Sequence, residues 1–119
     1  MSDFWGYHAM FDVAGCNQEL IKNKKHIKKF IKTLVNDIDM VAVGKPIVKY
    51  LCEGDPKEGY SFVQLIVTSS IVGHLMNSGE AYFDVFSCKP FDASVAQHLI
   101  EVFFKPSSVR FNYLTRDAG

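Results

Sequence analysis

The chain is 119 residues long, 48% hydrophobic and 22% charged, and its thirteen Lys and Arg are matched by thirteen Asp and Glu. That size reads as one compact domain, 1–119, with little room for a large internal cleft, so a deep site would need a partner subunit. The balanced charge offers no field to draw in nucleic acid or an anionic membrane, which argues against both as partners.

In chain order, Met1 to Tyr7 has no basic stretch followed by an apolar run and does not read as a signal peptide. Tyr7 to Val13 alternates, with Tyr7, Ala9, Phe11 and Val13 on one face and His8, Met10 and Asp12 on the other, which predicts a strand. Ala14-Gly15-Cys16-Asn17 breaks it, and Asn17 can cap a helix over Gln18 to Val35, where Ile27, Phe30, Ile31 and Leu34 recur at helical spacing. The lysines of Lys22 to Lys32 mostly occupy the remaining face, which reads as solvated. Met40 to Leu51 is extended and interrupted at Gly44-Lys45-Pro46, and Cys52 to Gly59, CEGDPKEG, is a polar loop. Tyr60 to Val67 is β-rich, whereas Gly73, Asn77, Ser78 and Gly79 predict an irregular connection. Ala81 to Ser87 alternates again, with Tyr82, Asp84 and Phe86 on one face, joined by Cys88 if the strand reaches it. Asp92 caps a second helix to about Phe104, with Val95, Leu99, Val102 and Phe103 facing inward, and Val109 to Tyr113 is a last short strand.

The order β-α-β-β-β-α-β predicts an α+β fold, a two-layer α/β sandwich whose mainly antiparallel sheet carries two helices on one face. The other face would be a large apolar patch for a monomer, which predicts at least a homodimer formed by sheet packing. No apolar run approaches the roughly 20 residues that span a bilayer. Cys16, Cys52 and Cys88 are odd in number and widely spaced without a CxxC pair, which argues against a disulfide framework or a metal site and for the reducing cytoplasm. Cys16 and Cys52 read as structural.

There is no phosphate-binding glycine loop, HExxH or GxSxG elbow. What stands out is a constellation around one strand and its exit: Ser61, Thr68-Ser69-Ser70, His74 and Cys88. Together with GYHAMFDVAGC, IVTSSIVGH, AYFDVFSC and the closing VRFNYLTR, it makes nearly the whole chain resemble the short prokaryotic-type S-adenosylmethionine decarboxylases, which are pyruvoyl-dependent and made as proenzymes. The resemblance implies that the chain cuts itself between Thr68 and Ser69, that Ser69 becomes the pyruvoyl group, and that Ser61 and His74 assist the cut. It implies that Cys88 is the catalytic proton donor, that S-adenosylmethionine is the substrate, and that the product feeds spermidine synthesis. Tyr50 would take the place of the aromatic residue that stacks on adenine, and Glu80 stands near the family's substrate-binding acidic residue but out of register. The chain departs from the pattern at Thr68 and Ser70, where the family usually has Glu and His, and its loop from His74 to Ala81 is one residue shorter.

The chemistry needs these residue types for reasons of its own. Loss of carbon dioxide from an α-amino acid leaves a carbanion that requires an electron sink, such as a Schiff base conjugated to a carbonyl. A serine that attacks the preceding carbonyl and then eliminates builds that carbonyl compound from the chain itself. A histidine titrating near neutrality supplies the base, and a thiol with a pKa of roughly 8.5 is a workable proton donor. Two rival readings remain open at this point: a pyruvoyl decarboxylase of arginine or ornithine, and an uncleaved homologue that binds a ligand without catalysis.

Overall fold

The computed structural model describes residues 4–119; Met1 to Asp3, part of the segment read for a leader, lie outside the described residues. Along the chain it forms β1 (Gly6–Ala14), α1 (Gln18–Ile21), α2 (Lys24–Asp37), β2 (Ile47–Leu51), β3 (Gly59–Ile66), β4 (Ser69–Met76), β5 (Ala81–Ser87), α3 (Ala93–Phe104) and β6 (Ser108–Arg116). The strands make one antiparallel sheet in the order β2-β3-β4-β5-β1-β6. Helices cover one face, so the expected two-layer α+β sandwich is what the chain adopts.

The alternation read in β1 and β5 translates directly into burial. Ala9, Phe11 and Val13 meet Ala81, Phe83 and Val85 across the strand pair, all nearly sealed from solvent beneath the helices. Phe30 of α2 anchors the interface between layers, its ring 5.4 Å from that of Phe83 and 4.9 Å from that of Phe104. Aromatic pairs at such separations add to the area they bury.

Four expectations are corrected. The single helix over Gln18 to Val35 is two: Asn17 caps α1 through the amides of Glu19 and Leu20, while Asn23 caps α2 through the amide of His26. A second Asn able to satisfy orphan amides is what divides them. The connection expected around Gly73 is β4, paired along its length with β3 and β5. Gly73 is no breaker here: a Cβ would stand 2.1 Å from the Phe62 ring, which lies across that position. In α3 the buried residues are Ala96, Leu99, Ile100 and Phe104, whereas Val102 is 52% exposed. The last strand is nine residues long and pairs with all of β1.

The face that the helices leave bare carries rows set by the register. One row runs Lys49, Ser61, His74, Tyr82, Asp12, Arg110, and the next runs Ile47, Val63, Val72, Asp84, Met10, Asn112. Ile47, Leu51, Val63, Leu65 and Val67 stand exposed on this side. Among the described residues, no helix is long and apolar enough to cross a membrane.

Candidate active site

β3 and β4 are joined by a two-residue turn, Val67-Thr68, with Ile66 directly opposite Ser69. The turn is gripped from both sides. The Val67 amide donates to the Val41 carbonyl at 2.9 Å, and the Cys88 amide donates to the Thr68 carbonyl at 3.0 Å. Below it, the Thr68 and Ser87 hydroxyls lie 2.6 Å apart, and Met40 Sδ accepts at 3.4 Å from Thr68 and at 3.7 Å from Ser87. Ser87 is wholly buried and also accepts from the Lys89 amide. Cys88 is a free, partly exposed thiol just past the end of β5. The Thr68–Ser69 peptide is therefore fixed at a strand end, with one N–H already on its carbonyl oxygen.

Ser61 and His74 sit directly across β3 and β4 on the bare face, with Ser61 Oγ 2.9 Å from His74 Nδ1. That contact orients the imidazole, and His74 is exposed. The pair floors a cleft of about 660 Å³ whose walls include Leu51, Met76, Glu80 and Tyr82. Glu80 accepts from the Tyr82 hydroxyl at 2.9 Å, and this hydrogen bond, more than the charge itself, raises the Tyr82 pKa. Such a volume falls within the range of small-molecule sites.

The two groups are not together in one chain. Ser69 and His74 are five residues apart on the same strand, ~16 Å at roughly 3.3 Å per residue. Tyr50 also stands apart from the cleft. It pairs with Tyr60 on the helix side of the sheet, 5.0 Å between rings, and its hydroxyl donates to Glu58 and accepts from Asn77 Nδ2. The hydrogen bond to Glu58 raises its pKa. Glu80, by contrast, lies with Ser61 and His74.

Of the other cysteines, Cys16 is buried, and burial pushes its thiol up to about 11, so it stays a protonated core residue. Cys52 is exposed at the cleft rim with a backbone φ of 62°, which corrects its structural reading. No group of His, Cys, Asp and Glu suited to a metal ion occurs among the described residues. The sequence reading passed over Ser87 and Met40, which hold Thr68, and His8, whose Nε2 donates to Asp84 at 2.9 Å on the bare face. A serine in phase with Ala81, Phe83 and Val85 was the available signal for Ser87, because a buried polar residue needs a partner.

Comparison with known proteins places the chain in one family. The family described as S-adenosylmethionine decarboxylase matches residues 7–117. The S-adenosylmethionine decarboxylase proenzyme of Clostridium botulinum strain Langeland is 32% identical over 91 residues, 74% of this chain and 73% of that protein. The proenzyme of strain Loch Maree is 28% identical over 110 residues, 88% and 90% of the two chains. The crystal structure of the adenosylmethionine decarboxylase from Aquifex aeolicus VF5 covers 99% of this chain and 95% of its own with a TM-score of 0.82. At 19% identity that last likeness is one of fold.

Proposed function

The chain belongs to the S-adenosylmethionine decarboxylase family, and we propose that it is made as a proenzyme, cuts itself between Thr68 and Ser69, and decarboxylates S-adenosylmethionine in the cytoplasm. The product would be the aminopropyl donor for spermidine synthesis. The observation that carries the reading is the Cys88 amide, which donates at 3.0 Å to the Thr68 carbonyl. Attack by Ser69 Oγ on that carbonyl carbon places negative charge on the oxygen to which this N–H already points. Collapse breaks the C–N bond, frees the amine of residue 69 and leaves Thr68 as an ester on Oγ. Removal of the Ser69 α-proton then expels the Thr68 carboxylate. The dehydroalanine left behind takes up water and loses ammonia, which yields a pyruvoyl group at the new chain start.

That group supplies the electron sink for decarboxylation. The strand end suits it: residue 69 is partly exposed, and Cys88, a partly exposed free cysteine, follows directly on Ser87, the register partner of Ser69. We assign Cys88 as the acid that returns a proton to the carbon that has lost carbon dioxide.

His74 and Ser61 are assigned to the Ser69 of a neighbouring chain, because their own lies too far along the strand. Two bare faces packed about a two-fold axis crossing the strands near Val72 and Asp84 set the Ser69 end of one sheet over the Ser61–His74 cleft of the other. The exposed Ile47, Val63, Leu65 and Val67 give that interface its apolar area. In the cleft, Glu80 offers an acceptor for the substrate's ammonium or hydroxyls. Tyr82 rather than Tyr50 presents an aromatic ring to the sulfonium.

Intact-mass measurement tests the reading. Purified protein should resolve into residues 1–68 and residues 69–119, the latter with a blocked N-terminus, and Ser69→Ala should remain whole. Full-length parent chain alone, after prolonged incubation, would overturn it. Calorimetry with S-adenosylmethionine, arginine and ornithine then decides the substrate.

A further inference from the structure

We propose that the helix side of the molecule carries a second site, a receptor for a small organic anion with an apolar body and one hydrogen-bond donor. It is a cleft of about 380 Å³ between α2 and the stretch 42–46, on the opposite side of the sheet from Ser61 and His74. Ile31 and Val35 of α2, with Ala42 and Pro46, give it apolar walls. Lys28, Lys32 and Lys45 stand around it, and none of the three makes an ion pair among the described residues. Lys28 and Lys32 flank Ile31 and Val35 at spacings of three and four residues, so this stripe of the helix is half apolar and half cationic.

Gln64 turns the cleft from a surface dent into a built site. It is only 2% exposed, in a β3 position otherwise given to Phe62 and Ile66. Its Nε2 donates to the carbonyls of Gly44 at 3.2 Å and Leu65 at 2.7 Å. Both partners can only accept, so the amide orientation is determined and the amino group is saturated. Its Oε1 has no partner among the described residues and keeps some exposure to solvent, and Gln64 is part of the cleft lining. A carbonyl oxygen of a nearly buried side chain, left without a protein partner in the lining of an apolar cleft, can take a donor from a ligand there, and three lysines without ion pairs at the rim favour negative charge. A ligand that places an N–H on Oε1, a planar body between Val35 and Pro46, and a carboxylate or phosphate among the lysines satisfies all three demands. The sheet separates this cleft from the Ser61–His74 cleft, so a ligand bound here is distinguishable from one bound there.

The probes are indole-3-propionate, which combines N–H, plane and carboxylate, and cytidine 5′-monophosphate, which carries the phosphate version. Neutral indole and inorganic phosphate are the partial ligands. Titration of the ¹⁵N-labelled protein, followed by amide spectra, should show saturable shifts at Gly44, Lys45 and the Gln64 side-chain amide. The dissociation constant should be on the order of 1 mM or tighter for at least one complete probe, with both partial ligands weaker. Which complete probe binds better distinguishes carboxylate from phosphate as the preferred anion. Lys28→Gln with Lys32→Gln, or Lys45→Gln alone, should weaken binding by ~10-fold at low salt and less at high salt. These lysines are exposed, so the variants keep the fold. The absence of saturable shifts with both complete probes up to about 5 mM would overturn the site. Shifts confined to the Ser61–His74 cleft, or an affinity indifferent to the lysine variants, would do the same.

Discussion

At the scale of single residues, Cys88 has two separable parts. Its backbone N–H holds the Thr68 carbonyl, and its side chain is a free, partly exposed thiol. Cys88→Ala removes only the thiol, so it should still cut itself while losing turnover by roughly 10²–10⁴-fold, the usual contribution of a positioned acid. Cys88→Pro removes the N–H and should stall the cut itself. A time course by gel, with circular dichroism to show that the sheet is intact, separates the two. A processed Cys88→Ala protein that turns over as fast as the parent would move the proton donor elsewhere. Cys88 was legible in the sequence as a cysteine in phase with Tyr82, Asp84 and Phe86. The role of its amide was not, because every residue but proline carries one and only the fold says where it points.

At the scale of elements, what could be read from sequence depended on whether a segment's pattern matched its cause. β1 and β5 alternate because one face is sealed by helices, so their phase could be read directly. The β3–β4 hairpin could not, because its turn is Val67-Thr68, without the Gly, Asn or Asp that two-residue turns usually carry. Gly73 misled for the complementary reason, lying inside a strand beneath the Phe62 ring. Gly73→Ala drives a methyl into that ring and should lower stability by about 1–3 kcal/mol, seen as a reduced urea midpoint. A change indistinguishable from zero would mean that Phe62 does not set this position. The start of α3 gives an acid-side test. Hydrogen bonding from the Ser94 hydroxyl, then from its amide, holds the Asp92 carboxyl below its usual range. A depressed folded pKa means that the stabilisation is complete above the ordinary carboxylate value and is lost as pH falls through the lower folded one. Asp92→Asn keeps an acceptor without the titration, so its stability should fall less steeply than the parent's over that acid range.

At the scale of the whole molecule, the separation of Ser69 from His74 demands a decision between chains. Five residues of strand cannot be closed without unzipping β4 from both neighbours, along which it is paired throughout. An interface between bare faces solves this and covers Ile47, Val63, Leu65 and Val67 at the same time. The arrangement makes a prediction that a cis site cannot share. His74→Ala chains alone should process slowly, and Ser69→Ala chains alone should not process at all. Co-expressed, they form mixed dimers in which the intact Ser69 of one chain faces the intact His74 of the other. The His74→Ala chain should then be cut at close to the parental rate within those dimers, while the Ser69→Ala chain stays whole. Distinct affinity tags let the mixed species be isolated and each chain weighed. Leu65→Glu, which puts a charge into the proposed interface without touching Ser69, Ser61 or His74, should yield monomers by light scattering and lose self-cleavage with the dimer. Mixed dimers that process no faster than His74→Ala alone would return the histidine to some other task, and a Leu65→Glu monomer that still cuts itself would dismiss the neighbour altogether.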